Sequence, residues 1–272
     1  MNRTPREPIT QRDVTRLESG QGRALLDDVV VEEPLEIRLG DEPIAVVMRT
    51  PGHDMELAVG FLFSEGILRD PDDLLAVEYC SDVTADAAGN VVRVIAPNAD
   101  RAAAESARRD IYASSSCGLC GKTTLDAIRL LAPPLAPAQP VSAALLAGLP
   151  DRLMAEQSVF TRTGGLHAAG LFRATGELVL VREDIGRHNA CDKILGAMAM
   201  REQWPLQGSI LMLSGRASFE MVQKAAMAGI GTVVAVSAPS SLAIDYAREA
   251  GMTLVGFLRG STMNVYAGEV TR

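Results

Sequence analysis

The sequence predicts an α/β protein: a smaller α+β domain at the N-terminus, followed by a larger C-terminal domain built on a mixed sheet. Three observations carry this. Of 272 residues, 47% are apolar, enough for a sizeable core. Beyond residue 142, apolar strand-like segments alternate with amphipathic helix-like ones, the pattern of a sheet with parallel pairs and helices on its faces. Between the halves lies "PPLAPAQP" (133–140), which cannot continue a helix. The expected organisation is a mobile arm over 1–28 and an α+β domain over 29–132 that ends in a cysteine loop and a short helix. A proline-rich connector over 133–142 then leads to an α/β domain over 143–272.

Residues 1–28 are polar and charged without periodicity, hence the arm. "VVVEEPLEIRLGDEPIAVVMRT" (29–50) predicts two strands around a Gly40-Asp41 turn. "GHDMELAVGFLFSEGIL" predicts a helix over Met55 to Phe63 with Asp54 as its N-cap. "LLAVEYC" and "VVRVIA" are strand-like, "DRAAAESARRD" is a charged segment, and "KTTLDAIRLLA" after the cysteines is a short helix. In the second half the strands are "LHAAGLF", "ELVLVRED", "SILMLSG", "TVVAVSA" and "TLVGFLRG". The helices are "HNACDKILGAMAMREQ", "FEMVQKAAMAG" and "LAIDYAREAG". Met198, Met200, Met221 and Met227, at helical spacings, read as core. Sheets of this kind bind ligands at the carboxyl ends of their strands. Polar loops fall there: Ser214-Gly215-Arg216, Ser237 to Ser241, and Arg259-Gly260-Ser261-Thr262.

Twenty-six basic against 34 acidic residues give a net charge of −8. No field covers the surface to attract nucleic acid or anionic lipid, so neither is expected as a partner, and a bound polyanion must meet a local basic patch. No signal peptide or membrane-length apolar run is legible, so the chain reads as cytoplasmic.

The four cysteines, Cys80, Cys117, Cys120 and Cys191, are too few and too uneven for a disulfide framework. "SSSCGLCGK" (114–122) pairs two thiols in a run of small residues. A structural zinc would need two more ligands, which His188 and Cys191, at i and i+3 of one helix, could supply. Helix-terminus and core roles suit those two better, and no metal held by side chains is expected. The zinc deaminases pair CxxC with an upstream HxE, but here "GHDMEL" spaces His53 and Glu56 as HxxE, and Ser116 rather than proline precedes Cys117. A dithiol redox centre usually opens a helix directly, whereas helix-like sequence starts here only near Lys122. Sulfur carriage needs an accessible loop and a reactive thiolate; serine and glycine provide the first, and Lys122 could lower the thiol pKa. Spacing alone leaves these readings, and that of two incidental cysteines, open.

Taken together, "GHDMELAVGFLFSEGI", "SSSCGLCGK", "GGLHAAGLF", "REDIGRHNACDKILG", "LSGRASFEMVQKAAMAGI" and "GFLRGSTMNVY", in that order, resemble the formate dehydrogenase accessory sulfurtransferase family. The resemblance runs from the first strands to Tyr266. It implies a sulfurtransferase that takes persulfide sulfur from a cysteine desulfurase and delivers it to the molybdenum cofactor carrying two guanylyl pterins, for the client formate dehydrogenase. The persulfide cysteine falls on Cys117, and the second motif cysteine on Cys120, as the catalytic pair. The implied cofactor segment is Phe257, Leu258, Arg259, Gly260, Ser261 and Thr262, and the implied fold is deaminase-like, a three-layer C-terminal domain without the catalytic zinc. A homodimer is the expected assembly.

The cofactor's phosphates give the arginines a role, since an acidic protein can hold them only with localised arginines and backbone amides. Arg182, Arg187, Arg216 and Arg259 stand at or near predicted strand ends, with Arg187 and Arg216 expected to join the cofactor site. Each taken singly reads better as a solvated surface arginine. Glu183 and Asp184 are expected to orient Arg187 or to cap the next helix.

Overall fold

The computed structural model describes residues 7–112, 132–135 and 140–272. The first described element departs from expectation. Residues read as an aperiodic arm form an antiparallel hairpin of β1 (Ile9–Glu18) and β2 (Gln21–Val30). Its turn, Ser19-Gly20, has positive φ at both residues (52° and 84°), which matches the twist of the strands. Leu17 and Leu26 stay 72% and 60% exposed, so the hairpin has no buried face to impose an apolar period on its sequence.

The N-terminal sheet has the order β4-β3-β6-β5, from β3 (Glu33–Leu39), β4 (Glu42–Arg49), β5 (Ala76–Tyr79) and β6 (Val91–Ile95). β3 and β6 are parallel and the other pairs antiparallel. Leu35, Ile37, Val92 and Val94 pack from it onto Leu57, Leu62 and Phe63 of α1 (Asp54–Ser64). The charged segment after β6 is a helix, α2 (Arg101–Tyr112).

The N-cap of α1 is His53, in the left-handed region at φ 59°, rather than Asp54. Asp54 is buried and takes Arg49 on both oxygens, at 3.1 and 2.8 Å. Arg49 is itself fully buried, so burial of a paired charge has overridden the usual use of an aspartate before a helix.

The connector region is partly structured. Val141–Ser142 forms the short strand β7, and the Ser142 hydroxyl caps α3 (Ala143–Ala147) by accepting from Leu145 N. Two further short helices, α4 (Leu149–Ala155) and α5 (Ser158–Thr163), follow without having been foreseen. At five to seven residues each they are too brief to show a period.

The main sheet has six strands in the order β13-β12-β11-β10-β8-β9. Its members are β8 (His167–Arg173), β9 (Leu178–Asp184), β10 (Ser209–Leu213), β11 (Thr232–Ala235), β12 (Thr253–Arg259) and β13 (Thr262–Ala267). β10, β11 and β12 are mutually parallel, while β8–β10, β8–β9 and β12–β13 are antiparallel, so the sheet is mixed as expected. One face carries α6 (Arg187–Ala199), α7 (Phe219–Met227) and α8 (Ser241–Glu249) over Leu211, Leu213, Val233 and Leu254. The other carries α3 and α4 over Met212, Val234 and Val255. A short strand β14 (Val270–Thr271) pairs with β7. Met198 and Met221 are core and Met227 half-buried, but Met200, at the C-cap of α6, is 39% exposed. None of the helices described is long and apolar enough to cross a membrane.

The N-terminal sheet and the main sheet are joined where α1 of the first crosses α6 of the second. A Cβ built on Gly60 would fall 1.8 Å from Asp192 O, and one on Gly196 1.8 Å from Glu56 O. Only glycine at both positions lets the backbones approach this closely.

Candidate functional site

Five residues of "REDIGRHNACDK", Arg182, Asp184, Asn189, Asp192 and Lys193, bond to residues 48 to 64 of the N-terminal half. Arg182 grips Glu56 of α1 with Nε and a terminal nitrogen at 2.5 and 2.7 Å, so it is not free to meet a ligand as its place near a strand end had suggested. Glu183 accepts from Val159 N and Phe160 N, capping α5. Asp184 is fully buried; it accepts from Gly186 N and Asn189 Nδ2 at 2.8 Å, from Thr50 N at 3.2 Å, and pairs with Lys193 Nζ at 2.7 Å. Asn189 and Lys193 donate in turn to Met48 O and Thr50 O of the N-terminal domain. Asp192 accepts from Lys224 and from Ser64 of α1. Glu183 therefore caps the preceding helix α5 rather than the next one, whose N-cap Gly186 has no side-chain cap, and Asp184 ties α6 to Thr50 instead.

Arg187 and His188, from the same motif, face the sheet edge and α7 instead. Arg187 opens α6 at the carboxyl edge of the sheet, and its Nε is buried with no hydrogen-bond partner among the described residues. His188 turns to α7, with Nε2 2.7 Å from Glu220 Oε2. Burial alone would raise the Glu220 carboxyl, but the His188 contact outweighs it and holds the group below its ordinary range.

At the same edge lie the start of β8, the end of β9 and the ends of β10 to β12, because β8 runs against its neighbours. His167, paired in register with Asp184, sits over Gly215, where an added Cβ would come 3.3 Å from its Nδ1. Ser214 Oγ accepts from Ala168 N at 2.8 Å, fixing the loop after β10 against β8. Burial and then the positive charges of Arg187, Arg216 and His188 hold His167 below its ordinary pKa, with Asp184 opposing. Arg216, on the exposed loop, is the second arginine of this group. The α6 N-terminus adds backbone N–H groups that lack intrahelical acceptors. At the start of α7, Ser218 Oγ is likewise buried and unpartnered. Cationic side chains, orphan donors and helix termini converging on one edge suit a phosphate or another oxyanion.

The segment from Phe257 to Thr262 is a protruding hairpin rather than a loop. Arg259 pairs with Thr262 across a two-residue Gly260-Ser261 turn, with Gly260 at φ 54°. β12 pairs β11 only through Val255, so the rest of it runs past the edge of the sheet. A bulge between Gly256 and Arg259 places Phe257 in the left-handed region, at φ 52°, and 38% exposed. Its N–H donates to Ser237 O, and Gly256 admits Pro239, whose Cδ would be 2.8 Å from a Cβ there. A non-glycine residue in this conformation is strained, and here the strain accompanies an aromatic ring turned towards solvent at the carboxyl edge of the sheet. Leu258 must be removed from the expected site: the bulge sends its side chain into the core, fully buried beside Val255 and Met212. Arg259, Gly260, Ser261 and Thr262 are exposed.

Cys117 and Cys120 lie outside the described residues. Cys191 is fully buried in the core, and burial pushes its thiol well above the ordinary range. His188 turns to Glu220, and the zinc reading, which also needs Cys117 and Cys120, falls partly outside the described residues. Sequence reading had missed His167, whose partners come from the next strand pair and helix, and the Ser64–Asp192–Lys224 cluster. "GGLHAAGLF" was the one signal that could have raised His167.

Residues 30–271 match the model of the FdhD/NarQ family. A Streptomyces coelicolor protein named sulfur carrier protein FdhD is 55% identical over 263 residues, covering 95% of this chain and 93% of its own. Proteins of the same name from Streptomyces avermitilis and Mycobacterium tuberculosis are 52% and 48% identical, covering 95% and 94% of this chain and 94% and 95% of their own. A crystal structure from Desulfotalea psychrophila, described as a candidate formate dehydrogenase accessory protein, superposes with a TM-score of 0.76 at 24% identity. It covers 96% of this chain and 98% of that one, and at this identity it speaks to the fold.

Proposed function

Because the chain belongs to the FdhD/NarQ family, we propose that it is a sulfur carrier that matures formate dehydrogenase, working through a persulfide on Cys117 and holding the molybdenum cofactor by its guanylyl ends. The thiolate of Cys117 attacks the outer sulfur of a cysteine desulfurase persulfide; the new S–S bond forms as the desulfurase thiolate leaves with its electron pair. Cys120 relays the sulfur or resolves mixed disulfides. The cofactor is cargo, met as substrate at the carboxyl edge of the sheet, in a cytoplasmic protein acting as a homodimer on a deaminase-like scaffold.

The observation that carries the cofactor half of this reading is Arg187, whose Nε is buried beside His167 with no partner among the described residues, at the edge where this kind of sheet places ligands. Arg216 faces the same point, and Arg259 and Phe257 stand on the hairpin three strand spacings from β8, roughly 14 Å away. Phosphates fit the first group and also Arg259, and a guanine stacked on Phe257 fits the hairpin. The carrier half is supported by the names of the relatives and by the serine- and glycine-flanked CxxC.

The experiment that separates a carrier from a cofactor escort with inert cysteines is mass spectrometry after incubation with a desulfurase and cysteine. One added sulfur on Cys117 is expected. Cys117→Ala should abolish client activation while Cys120→Ala leaves part of it, and full activation by Cys117→Ala would reduce the protein to an escort.

A further inference from the structure

"GGLHAAGLF" makes none of the contacts that clasp the two halves, yet it brings an imidazole into the cluster at the sheet edge. His167 is half-buried against Gly215, so close that any side chain there would crowd its Nδ1. The charged groups that face it are Arg187 and His188 from α6, Arg216 from the loop after β10, and Asp184 from β9. Asp184 is the sole anion among these, and Lys193, Gly186, Asn189 and Thr50 already occupy it. With the site empty, a proton on His167 would therefore face net positive charge.

We propose that His167 belongs to the phosphate site formed with Arg187 and Arg216, and that it takes up one proton from solvent when a diphosphate binds there. The inference rests on the reading of this edge as the seat of the guanylyl phosphates. Its physical basis is a change of sign. A bound diphosphate places negative charge against the imidazole, which then favours the cationic, doubly donating form. Burial helps in both states: it disfavours an unpaired charge when the site is empty and strengthens the pairing when it is filled. By linkage, binding must tighten as pH falls through the window between the low titration point of the empty site and the higher one of the filled site.

The test uses the full chain, with GDP and with inorganic pyrophosphate as probes. Calorimetry at pH 6.5 in two buffers of different ionisation enthalpy reads proton uptake directly. Uptake is expected for the wild type and not for His167→Gln, which keeps a hydrogen-bonding side chain but cannot titrate. Wild-type affinity should gain about tenfold more than the variant's between pH 8 and pH 6, the comparison cancelling the phosphate's own titration. The chain has three histidines. The His167 ring signal in a proton–carbon spectrum should accordingly show a higher titration midpoint once pyrophosphate is added, a readout that needs no variant. Equal uptake by wild type and His167→Gln, or a midpoint that stays put while pyrophosphate binds, overturns the proposal. Pyrophosphate binding with His167-dependent uptake, alongside absent GDP binding, would uphold the proton link and remove the nucleotide reading. Binding of neither probe overturns both.

Discussion

Gly60 and Gly196 touch backbone to backbone where α1 crosses α6, each so close to the facing carbonyl that a single added methyl would overlap it. Gly196→Ala should therefore force the helices apart and cost about 3 kcal/mol, the upper part of the usual range for overpacking. Urea denaturation checks this; a midpoint equal to that of the wild type would mean that the helices slide freely. Because the same crossing aligns Asp192 with Ser64 and Asp184 with Thr50, the variant should also expose the interface to limited proteolysis.

Acid should loosen the same interface through Glu56. Burial would raise its carboxyl, but Arg182 and then His53 outweigh that and hold it at about 2. A depressed folded pKa means a contribution that is fully present above the ordinary glutamate range and is lost as pH falls from about 4.5 towards about 2. Thermal melts between pH 5 and pH 2.5 should show a steeper loss for the wild type than for Glu56→Gln, which has no charge to surrender.

The left-handed Phe257 predicts a conflict between stability and binding. Glycine adopts that conformation without strain, so Phe257→Gly should melt no lower than the wild type, with up to about 1 kcal/mol regained. If the ring stacks on guanine, the same variant should bind GDP roughly tenfold or more weakly. A variant that binds normally would leave the ring without a role in recognition.

Arg259 tests the neighbouring phosphates. Arg259→Ala should lose about 1.5 to 3 kcal/mol of GDP binding, as for a hydrogen bond to a charged group, and the wild-type affinity should fall as salt rises. Calorimetry showing equal affinity for the two proteins would take the hairpin out of the phosphate site.

The sequence made the C-terminal alternation legible because β10, β11 and β12 are buried on both faces and read as unbroken apolar runs. It could not show α3 to α5, too short for a period, nor the first hairpin, which buries no face. Among candidate site residues, Arg187 and Arg216 are legible from their places after predicted strands, and both lie at the carboxyl edge of the sheet. Arg182 was read the same way and belongs to Glu56, a partner across the domain boundary that no spacing reveals. Leu258 failed for a related reason: a bulge reverses which side chain points inward, and no residue in "GFLRGST" announces it. His167 was passed over because everything that charges its surroundings arrives later in the chain.

The clasp also limits how this protein can evolve. Ser64 sits on one side of the domain boundary and Asp192 and Lys224 on the other, all buried in one hydrogen-bonded set, while Glu56 and Arg182 form a second. Halves taken from different relatives would join well only where both sets and the two facing glycines agree. Recombination between lineages is thus filtered at this seam, and its residues are bound to change together or not at all.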